Sequence, residues 1–309
     1  MLPEGGIKIV EVGPRDGLQN LSVHVDTEAK ISLIRRLAAC GIREIQVGAF
    51  VHPKAIPQFK DMGEVITGVL DLEGTTLTAM VPNLQGLRDA LKMGIRNLVF
   101  FFSVSRSHNL HNVRQTPEES IESLKIVKIE LSFNPDTDIS VALATVFGCP
   151  FELHVRIEDI LRYVEAVAAI GVGRVTLCDT VGFGNPKQVE QVISACMNNF
   201  PEIHFSLHFH NTRGLGLANA LKAYEMGIRS FESSIGGLGG CPFAPGASGN
   251  VATEDMVFMF NEMGLETGID IQKLLDVAQY LQDILLGVPL TGALFHAGLP
   301  RPAKPGCHQ

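Results

Sequence analysis

Residues 174–221 read RVTLCDTVGFGNPKQVEQVISACMNNFPEIHFSLHFHNTRGLGLANAL. Two short apolar runs, 174–180 and 204–210, are each followed by a polar turn and then by apolar residues at helical spacing. Strand, turn and helix, repeated, make a βαβ unit and call for a parallel sheet. The alternation extends both ways. Further strands are predicted at 7–12, 44–50, 75–81, 97–104, 138–147 and 230–235. Helices are predicted at 27–39, 57–70, 84–93, 117–131, 154–170, 186–200, 215–226 and 253–263. Ile157, Ile160, Leu161, Val164 and Val167 form the apolar face of a 3.6-residue repeat. Several helices run into a glycine (Gly41, Gly94, Gly171, Gly227, Gly264), the residue that best takes the left-handed C′ position.

Eight strand–helix units can close into a (β/α)8 TIM barrel, an α/β fold. The alternative, an open doubly wound sheet, expects GxGxxG after the first strand, and GPRDGLQN at 13–20 lacks it. One more helix, 271–286, carries Leu274, Leu275, Ala278, Leu281 and Leu285 on one face, and a tail follows at 298–309. The expectation is a single domain, with the barrel at about 5–265 and a C-terminal helix and tail at about 266–309.

With 309 residues, 46% of them hydrophobic, the chain can bury one large core. Its net charge of −8, without a run of five basic residues, points away from nucleic acid. No apolar stretch reaches the roughly 18–20 residues of a membrane span. The opening MLPEGGIKIVEV has no basic leader or apolar signal core, so a cytoplasmic protein is expected. The six cysteines form no CxxC and are expected to be reduced. Cys241 differs from the others by its place in a glycine-rich loop.

Barrel active sites lie at the C-terminal ends of the strands. Polar residues expected there are Arg15 and Asp16, Gln46, Asp179, His208 and His210, then Cys241, Asn250 and Glu254. Side chains two apart on a strand share a face. Ser206, His208 and His210 then point one way, while Phe205, Leu207 and Phe209 point the other, toward the outer helices. Two inward imidazoles can share a metal. In a closed barrel Asp16 and Asn250 reach the same point. Two nitrogen and two oxygen donors leave room for substrate oxygens on a near-octahedral ion: Mg²⁺ or Mn²⁺ first, with Zn²⁺ or Co²⁺ as alternatives. The glycine-rich stretch 236–250, GGLGGCPFAPGASGN, has no following Gly-Lys-Ser/Thr and is not a P-loop.

VEVGPRDGLQN (10–20), LCDTVGFGNP (177–186), LHFHNTRGLGLANAL (207–221) and GGLGGCPFAPGASGNVATEDMV (236–257) together resemble 3-hydroxy-3-methylglutaryl-CoA lyases. These are metal-dependent barrel lyases related to isopropylmalate and homocitrate synthases. The resemblance runs from about residue 7 to 287, and the glycine loop is its most specific part. It implies metal ligands at Asp16, His208, His210 and Asn250, and an enolate-stabilising arginine at Arg15. It also implies a reactive cysteine at Cys241, a catalytic aspartate at Asp179 and a loop-supporting glutamate at Glu254. The implied reaction is a retro-Claisen cleavage to acetyl-CoA and a keto acid, with His208 or Cys241 as the acid that protonates the enolate carbon. The implied assembly is a homodimer, acting on a small acyl-CoA with no organic cofactor beyond the CoA of the substrate.

The chain also departs from the family pattern. The strand-two glutamate is Gln46, and Ser-Glu after strand four is Ser105-Arg106. The Arg-Gly-Tyr-Val-Ser of strand five is Ser140-Val141-Ala142-Leu143-Ala144. The Asp and Tyr after the histidines are Asn211 and Arg213. The metal shell persists while the substrate shell changes. The expected function is a hydroxymethylglutaryl-CoA lyase or a relative with altered acyl specificity, with Gln46, Ser105, Arg106, His108 and Arg213 expected to contact substrate. His108, His111 and Arg114 form a basic loop suited to CoA phosphates or a substrate carboxylate. A Claisen-type synthase and a non-catalytic ligand-binding relative are the competing expectations.

Overall fold

A computed structural model describes residues 6–52, 54, 56–239 and 249–301. Eight strands form a closed barrel in sequence order: β1 (Lys8–Glu11), β2 (Glu44–Ala49), β3 (Thr76–Val81), β4 (Asn97–Ser103), β5 (Asp138–Ala144), β6 (Arg174–Asp179), β7 (His204–Phe209) and β8 (Ser230–Ser233). All neighbours are parallel, and β8 pairs with β1 to close the ring. The eight predicted strands and the barrel are thus observed.

The helices are α1 (Thr27–Ala39), α2 (Met62–Thr67), α3 (Leu84–Lys92), α4 (Arg106–Val113), α5 (Pro117–Leu131), α6 (Ile157–Ala169), α7 (Pro186–Asn199), α8 (Gly216–Glu225), α9 (Thr253–Glu262), α10 (Ile271–Ile284) and α11 (Ala293–Ala297). Alternation along β7 packs the barrel wall. Leu207 and Phe209 are fully buried against the outer helices, and Phe205 is nearly so. Strand and helix side chains merge into one apolar core, which also takes in Leu274, Ala278 and Leu281 of α10. Tyr280 of α10 lies under the Arg36 guanidinium of α1, at 4.4 Å.

Two local readings are corrected. The helix predicted over 57–70 is a 3-10 turn, Pro57–Phe59, followed by α2. The Gln58 amide donates to the carbonyl of Val23 at 2.6 Å, and Lys30 pairs with Asp61 at 2.8 Å, which fixes the break between the two. The loop after β4 contains α4, which has no apolar stripe. Ser105 caps it by accepting the N–H of His108. The described part of the C-terminal tail ends at Arg301.

Candidate active site

The chain leaves β1 through a π-helical turn, Gly13–Gly17, that carries Arg15 and Asp16 into the barrel mouth. After the glycine loop, the chain returns beside the end of β7. Asn211 N–H donates to Gly249 O at 2.7 Å, and Val251 N–H donates to Phe209 O at 3.2 Å. This pairing sets Asn250 against His210. Gly239 makes the close approach workable. Its φ is +105°, and a Cβ there would run into Asn250 Nδ2 and come within 3.1 Å of Asp16 O.

One carboxylate and two imidazoles converge. The ligand atoms of Asp16, His208 and His210 all lie within 4.8 Å of one another, and all three residues are buried. Asp16 Oδ2 is 3.8 Å from His208 Nε2 and 3.9 Å from His210 Nε2. Asn250 Nδ2 donates to the same Oδ2 at 2.8 Å. Asn250 Oδ1 and His210 Nδ1 are buried with no hydrogen-bond partner in the protein. Unsatisfied buried polar atoms are costly, and a bound cation with its waters would account for the oxygen. The donor set of one carboxylate, two imidazoles and one amide fits a divalent ion.

The electrostatics agree with that donor set. Burial alone would raise the Asp16 carboxyl. Arg15, His208, His210 and the Asn250 bond outweigh it and bring the carboxyl down to about 2. Burial, followed by the neighbouring His208 ring, brings His210 down to about 3, so its ring is neutral at pH 7.

Behind this cluster runs a buried polar chain. Arg15 donates to Asp16 at 2.6 Å and to Gln46 Oε1 at 2.9 Å. Gln46 Nε2 donates to Glu232 Oε1 at 3.0 Å, and Glu232 Oε2 lies 2.9 Å from His208 Nδ1. Glu232 is the residue that sequence reasoning missed. The two-residue period along 230–235 places it on the inner face with Ser230 and Ser234. Its carboxylate stands on β8 where Gln46 lacks one on β2. Glu11 was missed as well. It accepts from Gly13 N, Ile235 N and Thr253 Oγ1, tying β1 to the turn after β8, and burial pushes its carboxyl up to about 7.

A cavity of about 1040 Å³ opens over the cluster. Arg15, Asp16, His208, His210 and Glu232 line it, as do His108 and His111. Other expected residues lie elsewhere. Arg106 is exposed on α4 and pairs with Glu118 at 3.4 Å. Ser105 is buried as the α4 cap, with its hydroxyl 2.9 Å from Cys149 Sγ. Arg213 donates to Val181 O and Gly182 O, stacks on Phe183 at 4.4 Å and faces a separate cavity of about 570 Å³. Gln46 is buried behind the cavity wall. None of these four lines the cavity at the cluster.

Asp179 and Glu254 are also turned from it. The Asp179 oxygens accept the N–H groups of Phe183 and Gly184, and burial pushes the carboxyl up to about 6. Glu254 accepts Gly236 N–H at 3.0 Å from below the turn after β8. Both hold loops in place and do not face the cavity. Cys241 lies outside the described residues.

A closed parallel barrel with a carboxylate, two histidines and an asparagine at its C-terminal mouth is the arrangement of a barrel enzyme's active site. The HMGL-like sequence profile matches residues 6–281. The hydroxymethylglutaryl-CoA lyase YngG of Bacillus subtilis (strain 168) is 44% identical, covering 92% of this chain and 94% of its own. The (R)-citramalyl-CoA lyase of Chloroflexus aurantiacus is 36% identical, over 94% and 95%. The solved HMG-CoA lyase of Acenitobacter baumannii, in complex with coenzyme A and 3-methylmalate, superposes with a TM-score of 0.92. It is 40% identical and covers 99% of both chains. The chain belongs to the HMGL-like family and is a carbon–carbon lyase.

Proposed function

We propose that the enzyme cleaves a 3-hydroxyacyl-CoA to acetyl-CoA and a ketone or keto acid. The observation that carries this is the convergence of Asp16, His208 and His210 at the base of a cavity that also exposes Arg15. Asp16, His208, His210 and Asn250 would hold a divalent ion, Mg²⁺ or Mn²⁺ first, with Zn²⁺ or Co²⁺ as alternatives. Bound there, the ion would supply Lewis acidity toward the substrate hydroxyl and carbonyl.

The protein's own groups do the rest. Loss of the hydroxyl proton lets the C2–C3 bond break, with its electron pair passing to C2 and a carbonyl forming at C3. Arg15 is held by Gln46 and Asp16, so it can meet the developing thioester enolate oxygen without reorganising. His208 has its Nδ1 anchored by Glu232 and its Nε2 aimed at the cluster. Cys241 would then supply the proton that C2 takes up, because His208 has Nε2 turned to the ion site and Nδ1 held by Glu232. His108 and His111 border the path for the CoA arm. Asp179 and Glu254 act as positioning residues for the loops beside the site.

Gln46 invited a non-catalytic reading, and the Glu232 carboxylate argues against it by completing the chain from Arg15 to His208. With the lyase we place a cytoplasmic homodimer, which sedimentation and cell fractionation check. Among the described residues no helix is long and apolar enough to cross a membrane. The test of function is to incubate the purified enzyme with Mn²⁺ and a panel of 3-hydroxyacyl-CoA esters and follow acetyl-CoA by mass spectrometry. Appearance of acetyl-CoA supports the lyase. Its absence across the panel, with metal bound, contradicts it.

A further inference from the structure

The two halves of the barrel mouth differ in chemistry. The ends of β7 and β8 and the turn after β1 present the histidines, Glu232, Arg15 and Asp16. Strands β3 to β6 present Met80, Phe101, Ala142 and Cys178, all of which line the cavity. Val99, Ala142 and Cys178 form a small apolar cluster distinct from the main core, with Met80 and Phe101 packed against it. The cluster holds no charge. Burial pushes the Cys178 thiol well up, so it stays neutral. Ser140, one step deeper on β5, turns its hydroxyl to Leu98 O at 3.3 Å.

Cations are correspondingly scarce. Among the described residues lining the cavity, Arg15 is the one arginine and there is no lysine. Arg15 sits on the polar wall. His108 is neutral at pH 7, because burial and then His111 bring it down to about 4, and its Nδ1 lies 2.7 Å from Ser103 Oγ. Arg106 and Arg213 face away from this cavity.

The substrate carbon that is cleaved is tetrahedral. Its hydroxyl and its thioester-bearing CH₂ must face the polar wall if Arg15 and the metal cluster are to act on them. Its other two substituents then point across the cavity toward β3–β6. A carboxylate in that position would lose water with no arginine or lysine beside it among the described residues, whereas a hydrocarbon would gain by burial.

We propose that the larger substituent at carbon 3 of the substrate is an uncharged hydrocarbon group, aliphatic or aryl, seated on Met80, Phe101, Ala142 and Cys178. This rests on the lyase function proposed above. The reaction is an internal redistribution. The hydroxyl loses its proton, C2–C3 breaks, C2 gains a proton, and the products are a ketone carrying the hydrocarbon group and acetyl-CoA. No oxidant or co-reactant is consumed.

The test uses the holoenzyme with Mn²⁺ and three 3-hydroxy-3-methylacyl-CoA esters. They differ only in the larger substituent: carboxymethyl (the hydroxymethylglutaryl ester), isobutyl, its hydrocarbon counterpart in shape, and benzyl. The isobutyl or benzyl ester is expected to exceed the carboxymethyl ester in kcat/KM by about tenfold or more, the scale on which a pocket separates such groups. Equal or faster cleavage of the carboxymethyl ester overturns the proposal and leaves the lyase standing. Cleavage of none overturns both. The comparison needs no variant to fold. Ala142→Arg, which would add a cation to the apolar wall, should reverse the ranking. An unchanged ranking in a folded variant overturns the assignment to this wall.

Discussion

His208 and Glu232 are paired in register on β7 and β8, and the imidazole Nδ1 lies 2.9 Å from the carboxylate. A carboxylate behind a ligating histidine fixes which ring nitrogen is free and raises its basicity. Glu232→Ala should therefore cost about 10–100-fold in metal affinity or kcat/KM while the barrel still folds. Calorimetric Mn²⁺ titration beside a kinetic assay checks this. Wild-type values in both would contradict the role.

Gln46 donates to the same carboxylate, so its neutrality matters. Gln46→Glu would set a second carboxylate about 3 Å from Glu232, where both cannot stay ionised at low cost. Activity of the single variant should fall about tenfold or more. The exchange Gln46→Glu with Glu232→Gln restores one acid and one amide and should recover a large part of the loss. A double-mutant cycle on kcat/KM reads the coupling. Additive losses would show that the two residues do not act together.

Glu254 gives stability a pH dependence. Burial pushes its carboxyl from 4.5 up to about 8, so in the folded protein it holds its proton through neutral pH. Between those values the unfolded chain has released the proton and the folded chain has not. The folded state binds more protons, and stability falls as pH rises from about 4.5 to about 8. Glu254→Gln keeps the acceptor for Gly236 N–H and removes the titration. Urea unfolding of wild type and variant at pH 5.5 and 8 should show the wild type losing ground, on the order of 1 kcal/mol per pH unit. Glu11 titrates in both proteins and cancels. A constant difference between the two would contradict the assignment.

Arg106 is a surface residue, exposed and paired with exposed Glu118. Such pairs contribute about 0–1 kcal/mol. Arg106→Glu should leave KM for the CoA ester within about twofold of wild type and stability nearly unchanged. Steady-state kinetics with the best-cleaved ester decide it. A tenfold rise in KM would return Arg106 to the substrate path.

The fold was legible because strand and helix periods recur eight times with breaks between them. The inner face of β7 followed from the two-residue period, which placed His208 and His210 with Ser206. The turns were less readable. α4 lacks an apolar stripe, so its residues looked like a loop, and Arg106 could not be known to sit on its outer side. Arg213 looked like a site residue because it follows the histidines closely. The chain reverses there, and its guanidinium is satisfied by Val181 O and Gly182 O. Asp179 ends β6 beside Cys178, and strand alternation turns one of the pair inward. The inward one is Cys178. Glu232 escaped notice because it belongs to no motif, although its parity on β8 pointed to the inner face.

The central claim is that Asp16, His208, His210 and Asn250 form one metal-holding site for cleavage of a 3-hydroxyacyl-CoA. The most direct measurement is Mn²⁺ binding and acetyl-CoA release by wild type and Asp16→Asn, side by side. Asp16 supplies the one carboxylate of the cluster. Wild type should bind one ion per chain and release acetyl-CoA, and Asp16→Asn should remain folded, bind Mn²⁺ far more weakly and release none. Undiminished metal binding and turnover in Asp16→Asn would contradict the claim.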